Sequence, residues 1–407
     1  MKKMTGYYPW MVVALLCVVG CLNYLDRMMI TTMRSSILEA IPMTDAQFGL
    51  LTSVFLWIYG LLSPLAGFLA DRFSRSKVII VSLFVWSAVT WLTSHATTFE
   101  ELLLTRALMG ISEACYIPAA LALIVDYHKG NTRSLATGIH MGGIMLGQSL
   151  GFIGGWMAEE HSWNFAFSIF GIIGICYSVV LLFTLRDAKP AAEGHGAAAQ
   201  PAASFSAAMA NLFRSRAYFM ALLFWSLLGV AGWMVVAWLP TYYKEHFSIS
   251  QSMAGVYATG YFHTASLAGV LLGGFLADYW SRTNPRGRIL VPMLGLLIAA
   301  PAIFMASGTG SLYVAVVCFM IYALTRSFSD ANMMPILCLI TDARYRATGY
   351  GVLNMFSAIV GGIGIYAGGA LRDVQINLGS VFRVAALILL VCAVVLFIIR
   401  NIKTTEK

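Results

Sequence analysis

Twelve apolar stretches, 16 to 28 residues long and most of them parted by short polar breaks, run the length of the chain. A helix of about 20 residues spans the roughly 30 Å hydrocarbon layer of a bilayer. The first six stretches lie approximately at Pro9–Met33, Phe48–Ala70, Val78–Thr93, Leu102–Val125, Leu135–Ala158 and Phe165–Leu185. The second six lie at Tyr218–Tyr242, Met253–Ala277, Leu290–Ala306, Tyr313–Ile340, Tyr350–Leu371 and Val381–Ile399. Of 407 residues, 59% are hydrophobic and 11% charged, which excludes an ordinary soluble enzyme and leaves no room for a large soluble domain. The fold class expected is an all-α membrane protein with 12 transmembrane helices in two six-helix bundles.

Between the two sets, Asp187 to Ser206 is rich in Ala, Pro and Gly without apolar periodicity, as a flexible linker is. The expected organisation is a first bundle over residues 1–186, a cytoplasmic linker over 187–213 and a second bundle over 214–407. With both termini inside, 19 of the 26 Lys and Arg residues fall in cytoplasmic segments, as the retention of positive charge requires. The net charge of +8 therefore reports topology and gives no reason to expect nucleic acid as a partner. Lys2 and Lys3 before an apolar run resemble a signal peptide, but Asp26 and Arg27 interrupt it, so a retained first helix is expected.

The seven cysteines lie singly in apolar stretches without Cys-x-x-Cys or His clusters, so neither a metal site nor a disulfide framework is expected. No Asn-x-Ser/Thr sequon occurs, which favours a bacterial inner membrane. Nucleophile–base pairs and nucleotide loops are also missing, so there is no catalytic residue to name and an intramembrane enzyme lacks support.

Six charged residues stand deep inside apolar stretches: Asp26, Arg27, Arg106, Glu113, Arg326 and Asp330. Such groups cost several kcal/mol in hydrocarbon, so a functional role is the first expectation and a structural ion pair the alternative. Arg27 on the first span and Arg106 on the fourth each lie about seven residues, or roughly 10 Å of helix, from the outer face, so they can meet. Paired guanidiniums bind planar anions bidentately, which points to a small-molecule anionic substrate. A negative-inside potential opposes its entry unless protons accompany it. Asp26 and Glu113 are the carboxyls available to carry them. Burial disfavours a charged carboxylate and a nearby arginine favours it, so occupancy of the pocket can decide protonation. Arg326 and Asp330, spaced i, i+4, can neutralise one another as a structural or gating pair, with a second anion contact as the alternative.

The halves also repeat. Gly67-Phe-Leu-Ala-Asp71-Arg72-Phe-Ser-Arg75 after span two recurs as Gly274-Phe-Leu-Ala-Asp278-Tyr-Trp-Ser-Arg282 after span eight, an offset of 207. Duplicated bundles of this kind hold substrate at the midplane and work by rocking.

The layout and the loop from Gly67 to Lys77 resemble the major facilitator superfamily over the whole chain. Asn23-Tyr24-Leu25-Asp26-Arg27, Arg106 to Glu113 and Trp238-Leu-Pro240 together resemble its anion:cation symporters, which include proton-coupled sugar-acid and sialin-like permeases. That resemblance implies proton coupling by Asp26 and Glu113 and substrate contact by Arg27 and Arg106. It adds Tyr24, Tyr59, Gln148 and Asn354 as hydroxyl-recognising residues, and it assigns the loop of Gly67, Asp71, Arg72 and Arg75, with Asp278 and Arg282 in the second half, to gating.

The expected function is proton-coupled uptake of a small organic anion, a sugar acid such as a uronate, aldonate or sialic acid, with no cofactor beyond the coupling proton and sodium as the alternative ion. The spinster-like branch, a lysolipid or sphingolipid transporter, shares Asn-Tyr-x-Asp-Arg in span one and the Arg and Glu of span four, and is the alternative. Gly147 to Gly155 also resembles the signature of drug-efflux antiporters, but Phe152 stands where that signature has proline, which disfavours efflux. A monomer surrounded by membrane lipid is expected.

Overall fold

The computed structural model describes residues 7–128, 132–188, 205–284, 286–342 and 345–401; within these, the side chains of residues 64, 67–71, 134, 205–208 and 347 lie outside the described set. The described residues are almost wholly helical. In chain order the helices are α1 (Tyr8–Thr32), α2 (Arg34–Ala40), α3 (Asp45–Arg72), α4 (Arg75–Thr93), α5 (Phe99–Ala114), α6 (Tyr116–Tyr127), α7 (Arg133–Ser149), α8 (Phe152–Glu160) and α9 (Trp163–Thr184). There follow α10 (Phe205–Arg214), α11 (Arg216–Phe247), α12 (Gln251–Gly255), a π-helical turn at Val256–Tyr261, α13 (Phe262–Ser281), α14 (Gly287–Ala306), α15 (Leu312–Arg326), α16 (Phe328–Ile340), α17 (Arg346–Asp373) and α18 (Leu378–Asn401).

Eleven helical segments among the described residues are long and apolar enough to cross a membrane. The fifth span expected from the sequence is divided between α7 and α8, neither long enough alone, because the helix breaks at Leu150 and Gly151. Spans four and ten are also jointed, at Cys115 and Ser327. The segment 187–213, expected as linker throughout, contains α10 at its end; residues 189–204 lie outside the described residues.

Local chemistry sets several helix starts. Pro9 opens α1, where its missing N–H costs nothing. The Ser74, Thr98 and Ser162 side chains accept from the backbone N–H of Lys77, Glu101 and Phe165, capping α4, α5 and α9.

The chain forms two compact units, one of residues Met1–Lys189 with Val236–Thr264, the other of Pro190–Val235 with Ala265–Lys407. This differs from a division at the linker alone. Both crossings coincide with helix irregularities: Pro240 inside α11 cannot donate to the carbonyl of Val236, and the π turn precedes Thr264.

The core of the first unit joins Val12, Leu16 and Val19 of α1 to Leu83 and Trp86 of α4, Tyr116 and Leu123 of α6 and Leu181 of α9. Here α1 packs closely on α7, because a Cβ at Gly143 would stand 2.7 Å, and at Gly147 2.2 Å, from the carbonyl oxygens of Cys17 and Cys21. In the second unit α14 packs on α15 and α18, and Ala277, Val291 and Phe328 form a small buried cluster.

Candidate functional site

Four ionisable side chains expected to be functional gather in the first unit, all almost fully buried: Asp26 2%, Arg27 3%, Arg106 0% and Glu113 0% exposed. Helical spacing presents them. On α5, Arg106, Met109 and Glu113 share a face at i, i+3 and i+7, and on α1 Asn23 and Arg27 lie one turn apart. Gly110 lets α5 approach α3, since a Cβ there would stand 2.9 Å from the Phe55 carbonyl oxygen.

Arg27 donates from Nε to Glu113 Oε2 at 2.7 Å. Its guanidinium also lies 4.5, 4.8 and 4.4 Å from the ring centres of Tyr24, Phe55 and Tyr59. Such cation–π contacts supplement the carboxylate. Arg106 sits 5.1 Å from the same Phe55 ring and donates from Nη1 to the Met109 sulfur at 3.3 Å. Its Nε and Nη2 are buried without a hydrogen-bond partner, as is Arg27 Nη2. Asp26 accepts from the Thr90 hydroxyl at 3.2 Å through Oδ2, while its Oδ1 has no partner. Arg106 stands in electrostatic reach of Asp26, Arg27 and Glu113, and Asn23 faces Glu113.

With both carboxyls ionised this quartet is neutral; with one protonated it carries +1. The cluster therefore favours an anion most when it holds a proton. Three donor nitrogens without partners, buried at a cost of about 1–3 kcal/mol each, supply bonds that such an anion would complete.

The sequence expectation of two arginines meeting at one depth corresponds to their shared contact with Phe55, but Arg27 reaches Glu113 rather than standing open beside Arg106. Tyr24 and Tyr59 flank Arg27. Gln148 is half-buried near the end of α7, and Asn354 lies on α17 in the second unit. His140 of α7 is fully buried with its ring edge-on to Tyr116. Phe55 and Thr90 were not singled out, because a phenylalanine and a threonine in apolar helices carry no signal of their own.

Among the gating residues, Gly67 and Asp71 fall in the last turns of α3 with side chains outside the described residues, and Arg72 is exposed. Arg75 pairs with Asp126, while Ser76 N–H and the Ser74 hydroxyl donate to Asp187. Asp278 pairs with Arg288 at 3.4 Å rather than with Arg282, because α14 brings Arg288 back past the end of α13. In the second unit Arg326 Nη1 donates to Asp330 Oδ2 at 2.7 Å. No group of three or more metal-ligating side chains occurs among the described residues.

Residues 16–365 match the family model described as Major Facilitator Superfamily. Protein spinster homolog 1 of Bos taurus is 28% identical over 426 residues, covering 97% of this chain and 80% of that protein. The sphingosine-1-phosphate transporter SPNS2 of Xenopus tropicalis is 32% identical over 232 residues, covering 56% of this chain but only 44% of that protein's length. A crystal structure of a bacterial homolog of the human lysosomal transporter spinster, inward-facing and unoccupied, superposes with a TM-score of 0.79 at 23% identity, covering 98% of this chain and 96% of the other.

Proposed function

The chain belongs to the major facilitator superfamily and is a membrane transporter rather than an enzyme, and from that premise we propose that it carries a spinster-like cargo, a single-chain lysolipid or sphingolipid with an anionic headgroup. The observation that carries this reading is the setting of the two arginines. Their nearest described contacts are the rings of Tyr24, Phe55 and Tyr59 and a methionine sulfur, with the carboxylate of Glu113 bonded to Arg27 and that of Asp26 within electrostatic reach of Arg106. A sugar acid brings several hydroxyls, each wanting an amide, hydroxyl or carboxylate partner. A phosphate headgroup wants the guanidiniums, and an aliphatic chain is content with aromatic and thioether surface. The relative named for sphingosine-1-phosphate supports the same choice over the sugar acid expected from the sequence.

Coupling follows from charge. An incoming headgroup competes with Glu113 for Arg27. A carboxyl that loses its arginine while buried is stabilised by a proton, so anion and proton enter together and leave together. Asp26, held by Thr90, is the second acceptor. The Lys and Arg distribution supports both termini on the cytoplasmic side, the lack of an Asn-x-Ser/Thr sequon favours a bacterial inner membrane, and the buried charges of the quartet are balanced within one monomer.

The test is uptake into proteoliposomes under an imposed pH gradient, comparing lysophospholipids and sphingosine phosphate with uronates, aldonates and sialic acid, and repeating any hit with a sodium gradient. Proton-dependent accumulation of the single-chain lipids is expected. Accumulation of a sugar acid with no response to lipids would return the arginines to carboxylate recognition and overturn the lipid reading.

A further inference from the structure

Away from the quartet, the second unit carries a partly buried arginine inside an apolar span. Arg326 ends α15, its side chain 21% exposed, and its counter-ion Asp330 is 40% exposed. A carboxylate exposed within a membrane span faces either lipid or water, and lipid is prohibitively costly. The helix faces decide between them. Tyr313, Val314, Val317 and Ile321, the exposed large apolar side chains of α15, fall within about 100° of one another around the helix axis and make a stripe suited to lipid. Ser327 keeps a right-handed conformation through the joint (φ −67°, ψ −10°). At 100° per residue, Arg326 and Asp330 then lie about 140° and 180° around the axis from Ile321. The pair faces away from the lipid stripe.

Three further features mark the place as more than a charge-neutralising pair. Arg326 Nε is buried without a hydrogen-bond partner, as is the Ser329 hydroxyl. Gly232 of α11 makes the space for the guanidinium: a Cβ there would stand 2.8 Å from Nη2. One turn beyond Asp330, on the same face, Met334 is 40% exposed. A charge with an unused donor and a soft apolar surface thus follow one another along one helix face, in the order that a headgroup and a chain require.

We propose that Arg326 is the headgroup contact of a second anion subsite, in which a phosphate or carboxylate displaces Asp330 from the guanidinium and an aliphatic chain runs along Met334. This rests on the reading of the cargo as an anionic amphiphile and assigns that cargo a contact in the second unit. Asp330 keeps the arginine neutralised while the subsite is empty, and the Gly232 notch fixes the guanidinium in place.

The experiment measures calorimetric binding of a long-chain alkyl phosphate, the alcohol of the same chain, and inorganic phosphate to the purified full chain in neutral detergent. Asp330→Asn, which frees Arg326, is expected to tighten alkyl phosphate binding severalfold, and Arg326→Gln to weaken it about tenfold or more. Gly232→Ala keeps every charge but crowds Nη2, and is expected to weaken binding as well. The Arg326→Gln/Asp330→Asn double variant separates the roles: it regains thermal stability relative to Arg326→Gln yet stays weak in binding. Wild-type affinity in the double variant would reduce the pair to a structural one and overturn the subsite. Equal binding of the alcohol would overturn the headgroup contact, and displacement of alkyl phosphate by equimolar inorganic phosphate would overturn the amphiphile in favour of a free anion. Arg27→Gln serves as the parallel arm. No binding of any single-chain lipid by the unaltered protein would overturn the transport reading itself, whereas binding lost in Arg27→Gln but unchanged in Arg326→Gln overturns only the second subsite.

Discussion

Arg27 and Glu113 are joined by a 2.7 Å hydrogen bond with 3% and 0% of their side chains exposed, so neither charge can turn to water when the other is removed. Breaking a buried pair by deleting one partner costs about 3–5 kcal/mol, whereas replacing both by apolar groups of similar volume costs far less. Arg27→Met is therefore expected to lower the thermal midpoint in detergent sharply, and Arg27→Met/Glu113→Leu to recover most of it. Both proteins are expected to fail to bind substrate, which separates the folding role of the pair from its ligand role.

Glu113→Gln removes one negative charge and leaves the quartet permanently at +1 when Asp26 is ionised. Substrate binding is expected to persist, since the arginines remain, while accumulation against a gradient is lost and exchange of internal for external substrate continues. Proteoliposome uptake with and without internal substrate measures this; concentrative uptake at the wild-type rate would remove Glu113 from coupling.

Gly147 tolerates no side chain, because a Cβ there would enter the Cys21 carbonyl at 2.2 Å. Gly147→Val is expected to destabilise by more than the about 1–3 kcal/mol typical of overpacking and to abolish the monodisperse peak on size-exclusion chromatography. Gly142→Ala is the control, since nothing lies within 4 Å of its Cβ position, and it is expected to be neutral or stabilising by up to about 1 kcal/mol through helix propensity.

Arg34, at the start of α2, pairs with Asp45 and, at 3.2 Å, with Glu245, and lies 5.8 Å from the rings of both Phe48 and Trp238. It is a positive charge in a segment where the Lys and Arg distribution is otherwise sparse, and the two carboxylates account for it. Arg34→Ala is expected to cost about 1 kcal/mol, the scale of a partly exposed ion pair. The loss should shrink as salt rises, which thermal unfolding at low and high ionic strength measures.

What the sequence made legible follows from cost. Ionisable residues in hydrocarbon are expensive enough to stand out singly, so Asp26, Arg27, Arg106 and Glu113 were identifiable without knowledge of their neighbours. The i, i+4 spacing of Arg326 and Asp330 was enough to foresee their 2.7 Å contact. Phe55 was not legible, since its role depends on Gly110 letting α5 close on α3, a tertiary fact. The contact of Asp278 with Arg288 was not legible either, because it is set by the path of the turn into α14, which spacing within one helix does not encode. The break between α7 and α8 escaped hydropathy because the run Gly143, Gly147, Gly151 and Gly155 is uniform in composition; all four positions lie against α1, so nothing in the repeat marks the stop at Leu150 and Gly151.

The borrowing of Val236–Thr264 by the first unit bears on how the protein is made. A nascent chain that has delivered residue 189 to the membrane has completed six spans but lacks a segment of that unit, and 75 further residues must be synthesised before Thr264 arrives. At the usual ~5–20 residues per second this is a wait of roughly 4–15 s. During it the quartet's charges are already inserted while Trp238, Gln251 and the segment between them are still to come. A polypeptide severed in the linker is therefore expected to yield two fragments that complete the first unit only when both are made in the same membrane.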